Sequence, residues 1–155
     1  MESDICTEIN QTKPFTCLEQ EAHISLGRTW ALLDHALSEA LKPYNITPTQ
    51  YNVLRILRGA GSDGLCRHEV MSRMIAAVPD GTRLLDRLEA LGLIRRERST
   101  SDRRYVTTQI TDEGLALVNK LDEPIESIHR RQFSSFDEGK LRQLISLLGE
   151  LRSNG

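Results

Sequence analysis

The stretch VPDGTRLLDRLEALGLIRRERSTSDRR, residues 78–104, decides the fold of this chain of 155 residues. Between Pro79 and Gly92 its leucines recur at helical spacing, which predicts a short helix that starts at Pro79 and ends in a left-handed glycine cap. Beyond it, the polar run Ser99-Thr100-Ser101-Asp102 separates two apolar segments and is typical of a β-hairpin with a long tip. The stretch therefore predicts a helix with a bare N-terminus that is followed directly by a hairpin.

Positive charge is concentrated in the same region. The chain carries a formal charge of −2, yet residues 67–104 hold nine Arg against six Asp and Glu, and the sequence RRERSTSDRR at 95–104 holds five Arg against two acids. Arg, unlike Lys, makes bidentate and planar contacts to phosphate and guanine. A run of charge is also typical of a solvated surface, but a basic face beside a short exposed helix favours duplex DNA as the partner.

Length and composition indicate one globular domain with a sizeable core. Apolar residues make up 39% of the chain and charged residues 27%, as in ordinary soluble proteins. No apolar run approaches the roughly 20 residues of a membrane span, and residues 1–17 are too polar and acidic for a signal or transit peptide. We therefore expect a cytoplasmic protein with no membrane contact.

Patterns for catalysis, a metal or a cofactor are not found, so we expect none of these. The sequence contains no phosphate loop, no GxSxG and no HExxH. Cys6, Cys17 and Cys66 lack metal-ligand spacing, and their odd number argues against a disulfide framework. The His residues are scattered: His23, His35, His68 and His129. A thiol that senses oxidants remains an alternative for any of the three cysteines.

Helices are predicted on the N-terminal side of this unit. Residues 1–16 lack periodicity, so we expect a flexible arm there, whereas apolar residues from Leu18 to Leu41 recur at intervals of three and four and predict a long helix. Thr47-Pro48-Thr49-Gln50 has the form of a capping box and predicts the start of the next helix. A third helix is predicted from Arg67 to Ile75, which completes a winged helix-turn-helix with the helix and hairpin of 78–104.

On the C-terminal side, Thr111 is predicted to cap a helix in which Pro124 causes a bend or a one-turn interruption. Ser135-Phe136-Asp137-Glu138 is predicted to be a second capping box, followed by leucines at coiled-coil spacing. The outer helices are not needed to build a winged unit, so their apolar stripes indicate a partner subunit, most simply in a two-fold homodimer. The residues expected at its interface are Leu26, Leu141, Leu144, Ile145, Leu148 and Leu151.

Three motifs in order, DRLEALGLIRR at 86–96, Asp102-Arg103-Arg104 and Thr111-Asp112-Glu113-Gly114, resemble the MarR family of bacterial transcription regulators. The resemblance implies a mainly α fold with a small β-hairpin wing, of the α+β class. It divides the chain into an arm at 1–16 and a single domain at 17–153. Within that domain lie a winged DNA-binding lobe at 46–111 and dimerisation helices at 17–45 and 112–153.

The resemblance also implies which residues contact DNA. The recognition helix would supply Pro79, Asp80, Gly81, Thr82, Arg83 and Arg87, and the wing would supply Arg98, Ser99, Asp102, Arg103 and Arg104. From their chemistry, Arg83 suits guanine and Arg103 suits a narrow minor groove. Pro79 and Gly81 would allow a close approach, and Asp102 would hold a wing arginine in position rather than touch phosphate. Cys66 and Val78 stand where family members often have a Ser or Thr helix cap.

A small-molecule pocket between the dimerisation helices and the winged lobe is a further implication, with an aromatic or phenolic effector. Its candidate lining residues are His23, Arg28, Trp30, His35 and Tyr51, although Trp30 and Tyr51 also fit the core of the fold. The expected function is a repressor that binds a pseudo-palindromic operator on double-stranded DNA as a homodimer and is released by a small ligand. The alternatives are a winged-helix protein-interaction module and a thiol-based redox-sensing regulator.

Overall fold

The computed structural model describes residues 4–153, which form helices and one small sheet. In chain order these are α1 Ile5–Glu8, α2 Leu18–Leu41, α3 Pro48–Ala60, β1 Leu65–Cys66, α4 Arg67–Ser72, α5 Gly81–Ala90, β2 Ile94–Arg98, β3 Val106–Ile110, α6 Asp112–Gln132 and α7 Glu138–Ser153. Two 3-10 turns, Lys42–Tyr44 and Gly61–Asp63, follow α2 and α3. The predicted winged helix-turn-helix is confirmed. Within residues 4–153 no helix has both the length and the apolar character that crossing a membrane requires.

The sheet has three antiparallel strands in the order β1-β3-β2. β2 and β3 form the predicted hairpin, which starts with Ile94 opposite Ile110. β1 pairs Leu65 with Thr108 on the other side of β3. A strand of two residues has no periodicity to detect, so β1 was not predicted from the sequence. Its pairing nevertheless places β3 in the centre of the sheet, where Thr108 is buried.

The core lies inside the winged lobe, where the end of α2 and the middle of α6 pack against α3, α5 and the sheet. Its fully buried apolar side chains are Leu41, Val53, Leu54, Leu57, Val70, Leu85, Leu88, Ile94, Val118 and Leu121. Burial of each such side chain contributes about 1.5–3 kcal/mol to folding. The lobe that carries α5 and the wing therefore contains most of the buried core.

Local capping motifs start α3 and α6 where the sequence predicts. The Thr47 hydroxyl accepts a hydrogen bond from the Gln50 amide over 3.2 Å, and the Gln50 side chain accepts one from the Thr47 amide over 2.9 Å. The Thr111 hydroxyl likewise accepts from the Gly114 amide over 3.1 Å, at the start of α6. Gly92 ends α5 with φ of 72°, which is the predicted left-handed cap.

The two helices of the helix-turn-helix are shorter than predicted. α4 ends at Ser72 rather than Ile75, because the amide of Ile75 donates to the Asn52 side chain instead of continuing the helix. α5 starts at Gly81 rather than Pro79, because Asp80 is its N-cap and accepts a hydrogen bond from the Arg83 amide over 3.0 Å.

Two expectations about the flanking segments are wrong, and a third is wrong in part. Part of the N-terminal segment is the helix α1, capped by Asp4, with Ile5 buried, although residues 1–3 lie outside the described range. α6 continues through Pro124, so the predicted one-turn interruption is wrong, while the alternative of a bend stays a prediction. α7 is capped by Asp137 rather than Ser135, since the Asp137 carboxylate accepts from the Lys140 amide over 2.8 Å.

Candidate nucleic-acid interface

α5 is amphipathic, with one face in the core and one in solvent. Leu85 and Leu88 are buried, whereas Thr82, Arg83 and Arg87 are exposed. Arg83 and Arg87 are four residues apart and therefore neighbours on the same helix face. Neither forms an ion pair with another residue of 4–153. The exposed face of α5 thus presents two adjacent guanidinium groups to a partner.

The N-terminus of α5 differs from the bare helix end that the sequence analysis expected. Asp80 places its carboxylate on the Arg83 amide, at the position that a phosphate would take at an uncapped helix end. Pro79 is exposed but precedes the helix. Asp80 therefore occupies one amide of this helix end and adds a negative charge there, so the positive charge offered to an anion comes from the arginine side chains.

Gly81 has a different role from the one expected. It is buried, and a Cβ built on it would stand 2.5 Å from the Sδ of Met71. The missing side chain therefore lets α5 pack closely on α4, and it does not open a surface for DNA. The cost of glycine in the first turn of a helix is offset here by this close packing.

The loop between β2 and β3, which we call the wing tip and which comprises residues 99–105, is organised by its own backbone. The backbone amide of Ser99 donates a hydrogen bond to the carbonyl of Tyr105 over 2.9 Å. The backbone amide of Tyr105 donates one to the carbonyl of Asp102, also over 2.9 Å. The Asp102 carboxylate accepts from the Arg104 amide and lies 3.5 Å from its Nε. Exposed Arg103, by contrast, has no ion-pair partner within residues 4–153.

Some arginines of the lobe are already paired with carboxylates and cannot bind a further anion. In β2, Arg98 is exposed and unpaired among the described residues, whereas Arg96 turns toward α5 and pairs with Asp86 and Glu89. The hydrogen bond from Arg96 holds the pKa of the Glu89 carboxyl below its usual value. Among the described residues of α5, β2 and the wing tip, the arginines without an ion pair are therefore Arg83, Arg87, Arg98 and Arg103.

A cavity of about 470 Å³ lies between α2, α3, α6 and the loop of residues 74–78. Of the predicted pocket residues, Trp30 and Tyr51 line it. Three do not: His23, Arg28 and His35. Arg28 and His35 project from other faces of α2, and Arg28 lies 3.9 Å from Glu8 of α1. His23 lies on the face of Trp30 but about two helical turns before it, beyond the cavity wall.

Polar side chains at this cavity were missed in the sequence analysis. They come from separate helices, and no local motif connects them: Asp34 from α2, Asn52 and Arg55 from α3, and His129 from α6. Tyr51 is buried, and this burial raises the pKa of its phenol. The cavity thus combines aromatic walls with the cation of Arg55, the carboxyl group of Asp34 and further hydrogen-bonding groups.

The cysteines give little support to redox sensing. Cys6 is half-buried, and burial, followed by the charges of Asp4 and Glu21, raises the pKa of its thiol, which lowers the fraction of reactive thiolate. Cys17 is exposed and Cys66 half-buried, and all three are free thiols. Residues 4–153 contain no cluster of His, Cys, Asp and Glu suited to a metal ion.

A helix-turn-helix with unpaired arginines on its second helix, followed by an arginine-bearing wing, defines the class of winged helix-turn-helix DNA-binding regulators. The model of the family described as transcriptional regulator SarA/Rot matches residues 36–121. The chain belongs to the MarR/SarA family of transcription regulators, and the fold expected from the sequence is that of its solved members.

Individual relatives agree with this assignment. The regulator PecS of Dickeya dadantii is 30% identical over 154 residues, covering 98% of this chain and 93% of PecS. The homoprotocatechuate degradative operon repressor of Escherichia coli is 33% identical over 115 residues, covering 74% and 76% of the two chains. A mutant of the Escherichia coli regulator MarR complexed with operator DNA has a TM-score of 0.75 at 25% identity, covering 96% and 99%.

Proposed function

We propose that this chain is a repressor that binds a pseudo-palindromic operator as a homodimer. In this proposal α5 of each subunit occupies a major groove and the wing tip enters the adjacent minor groove. The observation that carries it is the set of unpaired arginines on α5 and at the wing, exposed on a chain with a net charge of −2. The relative from Escherichia coli named above is itself an operon repressor, which supports the repressor role.

Each site residue has a chemical role in this proposal. Arg83 donates two parallel hydrogen bonds to a guanine edge, and Thr82 contacts bases beside it. Arg87 contacts the phosphate backbone. Arg103 enters the minor groove, with Arg98, Ser99 and Arg104 along the backbone, and Asp102 holds Arg104 in place. Asp80 acts indirectly as the cap of α5, and Pro79 leads the chain into that cap.

The homodimer is supported by apolar surface that a single chain leaves uncovered. α7 has no buried residue, and Ile145, Leu147 and Leu151 are 66%, 54% and 58% exposed. In α2, Leu26 and Trp30 are 43% and 56% exposed. Large exposed apolar side chains repeated along two helices are typical of an interaction surface, and a second copy of the same helices would cover them symmetrically. The half-buried Leu141, Leu144 and Leu148 complete the α7 side of this interface.

Release by a small ligand is supported by the position of the cavity. Its wall includes residues 74–78, the loop that leads directly into Asp80 and α5. A ligand that displaces this loop therefore changes the position of α5. The aromatic walls suit a flat ring, and Arg55 and His129 in the lining suit the carboxylate of an organic acid or the hydroxyl of a phenol.

The experiment that tests the proposal is selection of bound sequences from random duplex DNA, followed by footprinting. We expect an inverted repeat with half-sites about one helical turn, ~10 bp, apart, and sedimentation at roughly 35 kDa, twice the 17.5 kDa of one chain. Ile145→Glu should convert the dimer to monomer, whereas the neighbouring Ser146→Glu on the same exposed helix should not. No binding to any duplex at low salt would favour the protein-interaction alternative instead.

A further inference from the structure

The guanidinium group of Arg96 connects the strand that carries the wing to the recognition helix. Its Nη2 donates to a carboxylate oxygen of Asp86 and to one of Glu89, each over 2.6 Å, and its Nε donates to the same oxygen of Glu89 over 3.1 Å. The second oxygen of Glu89 accepts from the backbone amide of Arg96 over 3.1 Å. The Glu89 carboxylate therefore accepts hydrogen bonds from both the backbone and the side chain of Arg96 in β2.

This side chain is withdrawn from the surface. It is 23% exposed, whereas the side chain of the preceding Arg95 is 61% exposed. Arg95 points to the other face of the strand, where it bonds to Gln109 and lies 3.6 Å from Glu97. Of these two neighbouring arginines, only Arg96 has a hydrogen bond to α5 within the part of the chain that is described.

These hydrogen bonds fix the orientation of β2 relative to α5, which the short turn between them does not fix by itself. α5 and β2 are joined by Leu91, Gly92 and Leu93, a turn that constrains one end of each element. Arg96 adds a second attachment along the helix, at Asp86 and Glu89, which are three residues apart. A planar guanidinium with several fixed donors can hold two carboxylates at once, whereas an ammonium group acts as a point charge.

We propose that Arg96 is a positioning residue that holds the wing at a fixed angle to α5, so that the two elements engage adjacent grooves together. This inference rests on the proposed function. A binding group displaced by about 1 Å loses much of its contribution, so an unfixed wing contributes little to binding. Arg96 also neutralises Asp86 and Glu89, whose charges would otherwise repel phosphate near the DNA.

Two variants with the same loss of charge test this role: Arg96→Ala and, as the matched control, Arg95→Ala. Each is measured for affinity to the selected operator and for protection of both grooves, with hydroxyl radicals for the minor groove and guanine N7 methylation for the major groove. Arg96→Ala should weaken binding by about tenfold or more, as expected for the loss of a charge-assisted network. It should also remove minor-groove protection and leave major-groove protection. Arg95→Ala should keep both.

The second readout is a double-mutant cycle with Arg103→Ala, which removes the wing-tip contact itself. If Arg96 acts through the wing, Arg96→Ala should cost markedly less affinity in the Arg103→Ala background than in the wild type. Equal losses in both backgrounds, with minor-groove protection intact, would overturn the inference. A wild type that protects neither groove would overturn the proposed function instead.

A conservative variant guards against a general loss of folding. Arg96→Lys keeps the charge and, on this geometry, should restore only part of the affinity and of the minor-groove protection, with unfolding close to that of the wild type. Full restoration by Lys would overturn the bridging role, because a point charge does not replace the two-carboxylate contact. If Arg96→Ala does not fold, the double-mutant cycle is run with Arg96→Lys in its place. Arg96→Lys must then cost less operator affinity in the Arg103→Ala background than in the wild type.

Discussion

The side-chain oxygen of Asn52 accepts a hydrogen bond, 2.9 Å long, from the backbone amide of Ile75. Asn52 belongs to α3, and Ile75 belongs to the loop that leads into α5. Both residues line the cavity of about 470 Å³. The same hydrogen bond therefore ends the first helix of the helix-turn-helix, holds the loop before the second, and lies where a bound ligand would meet it.

Asn52→Ala should lower the free energy of unfolding by about 1 kcal/mol, because the amide of Ile75 loses its acceptor. It should also weaken operator binding, since the loop before α5 is no longer held. Urea denaturation and DNA titration measure the two effects. Asn52→Asp is the matched control because it keeps an acceptor at the same position. Equal losses for the Ala and Asp variants would contradict the assigned role.

Arg83→Ala should relax base preference in each half-site, at a cost of about 1–3 kcal/mol for the base it reads. Arg103→Ala should instead weaken binding to all duplexes, and the slope of log K against log salt should fall by about two if each copy in the dimer neutralises one phosphate. Titrations of operator and random duplex over a series of salt concentrations measure both. The assignment fails if Arg83→Ala weakens both duplexes equally while Arg103→Ala leaves the slope unchanged.

Gly114→Ala should destabilise the protein by about 1–3 kcal/mol, because overpacked groups must shift. A Cβ on Gly114 would overlap the carbonyl oxygen of Leu93 and approach the side chain of Ile110. Gly59→Ala is the control within α3, where a Cβ meets nothing within 4 Å, and it should stabilise by up to about 1 kcal/mol. Thermal unfolding distinguishes the two, and destabilisation by both would refute the packing argument.

The ion pair between Arg58 of α3 and Asp122 of α6 should make stability depend on acid pH. Two hydrogen bonds of 2.7 and 3.0 Å from Arg58 hold the pKa of the Asp122 carboxyl below its ordinary value. With the folded-state pKa depressed, the contribution is present above the unfolded-state value of about 3.9 and disappears as the pH falls through the folded-state value.

Asp122→Asn should therefore lower stability at pH 7 by no more than about 1 kcal/mol, since the carboxylate is half exposed. The difference from the wild type should shrink as the pH is lowered past about 4. Urea unfolding over a pH series measures this. Glu123→Gln is the control, because Glu123 has no ion pair among residues 4–153. A difference that stays constant with pH would show that the charge of Asp122 is not its cause.

Local sequence alone determined most helix ends and the hairpin. The capping box at Thr47 and Gln50, the cap at Thr111 and the left-handed turn at Gly92 are complete within a few residues, so they form wherever those residues stand. The hairpin of β2 and β3 was predictable because Leu93 and Ile94 on one side and the β-favouring segment 105–110 on the other flank a polar tip. The arginines of α5 and the wing could be identified for the same reason, since their positions follow from these elements.

Tertiary structure alone decided which groups meet. Leu65 pairs with Thr108, Asn52 holds Ile75, and Arg96 reaches Asp86 and Glu89, and none of these contacts lies within one local motif. The same holds for the cavity, whose polar groups come from three helices. Periodicity reports which face of an element is apolar, but it does not say which distant element covers that face. Those contacts follow from how the core packs, and packing depends on the whole chain at once.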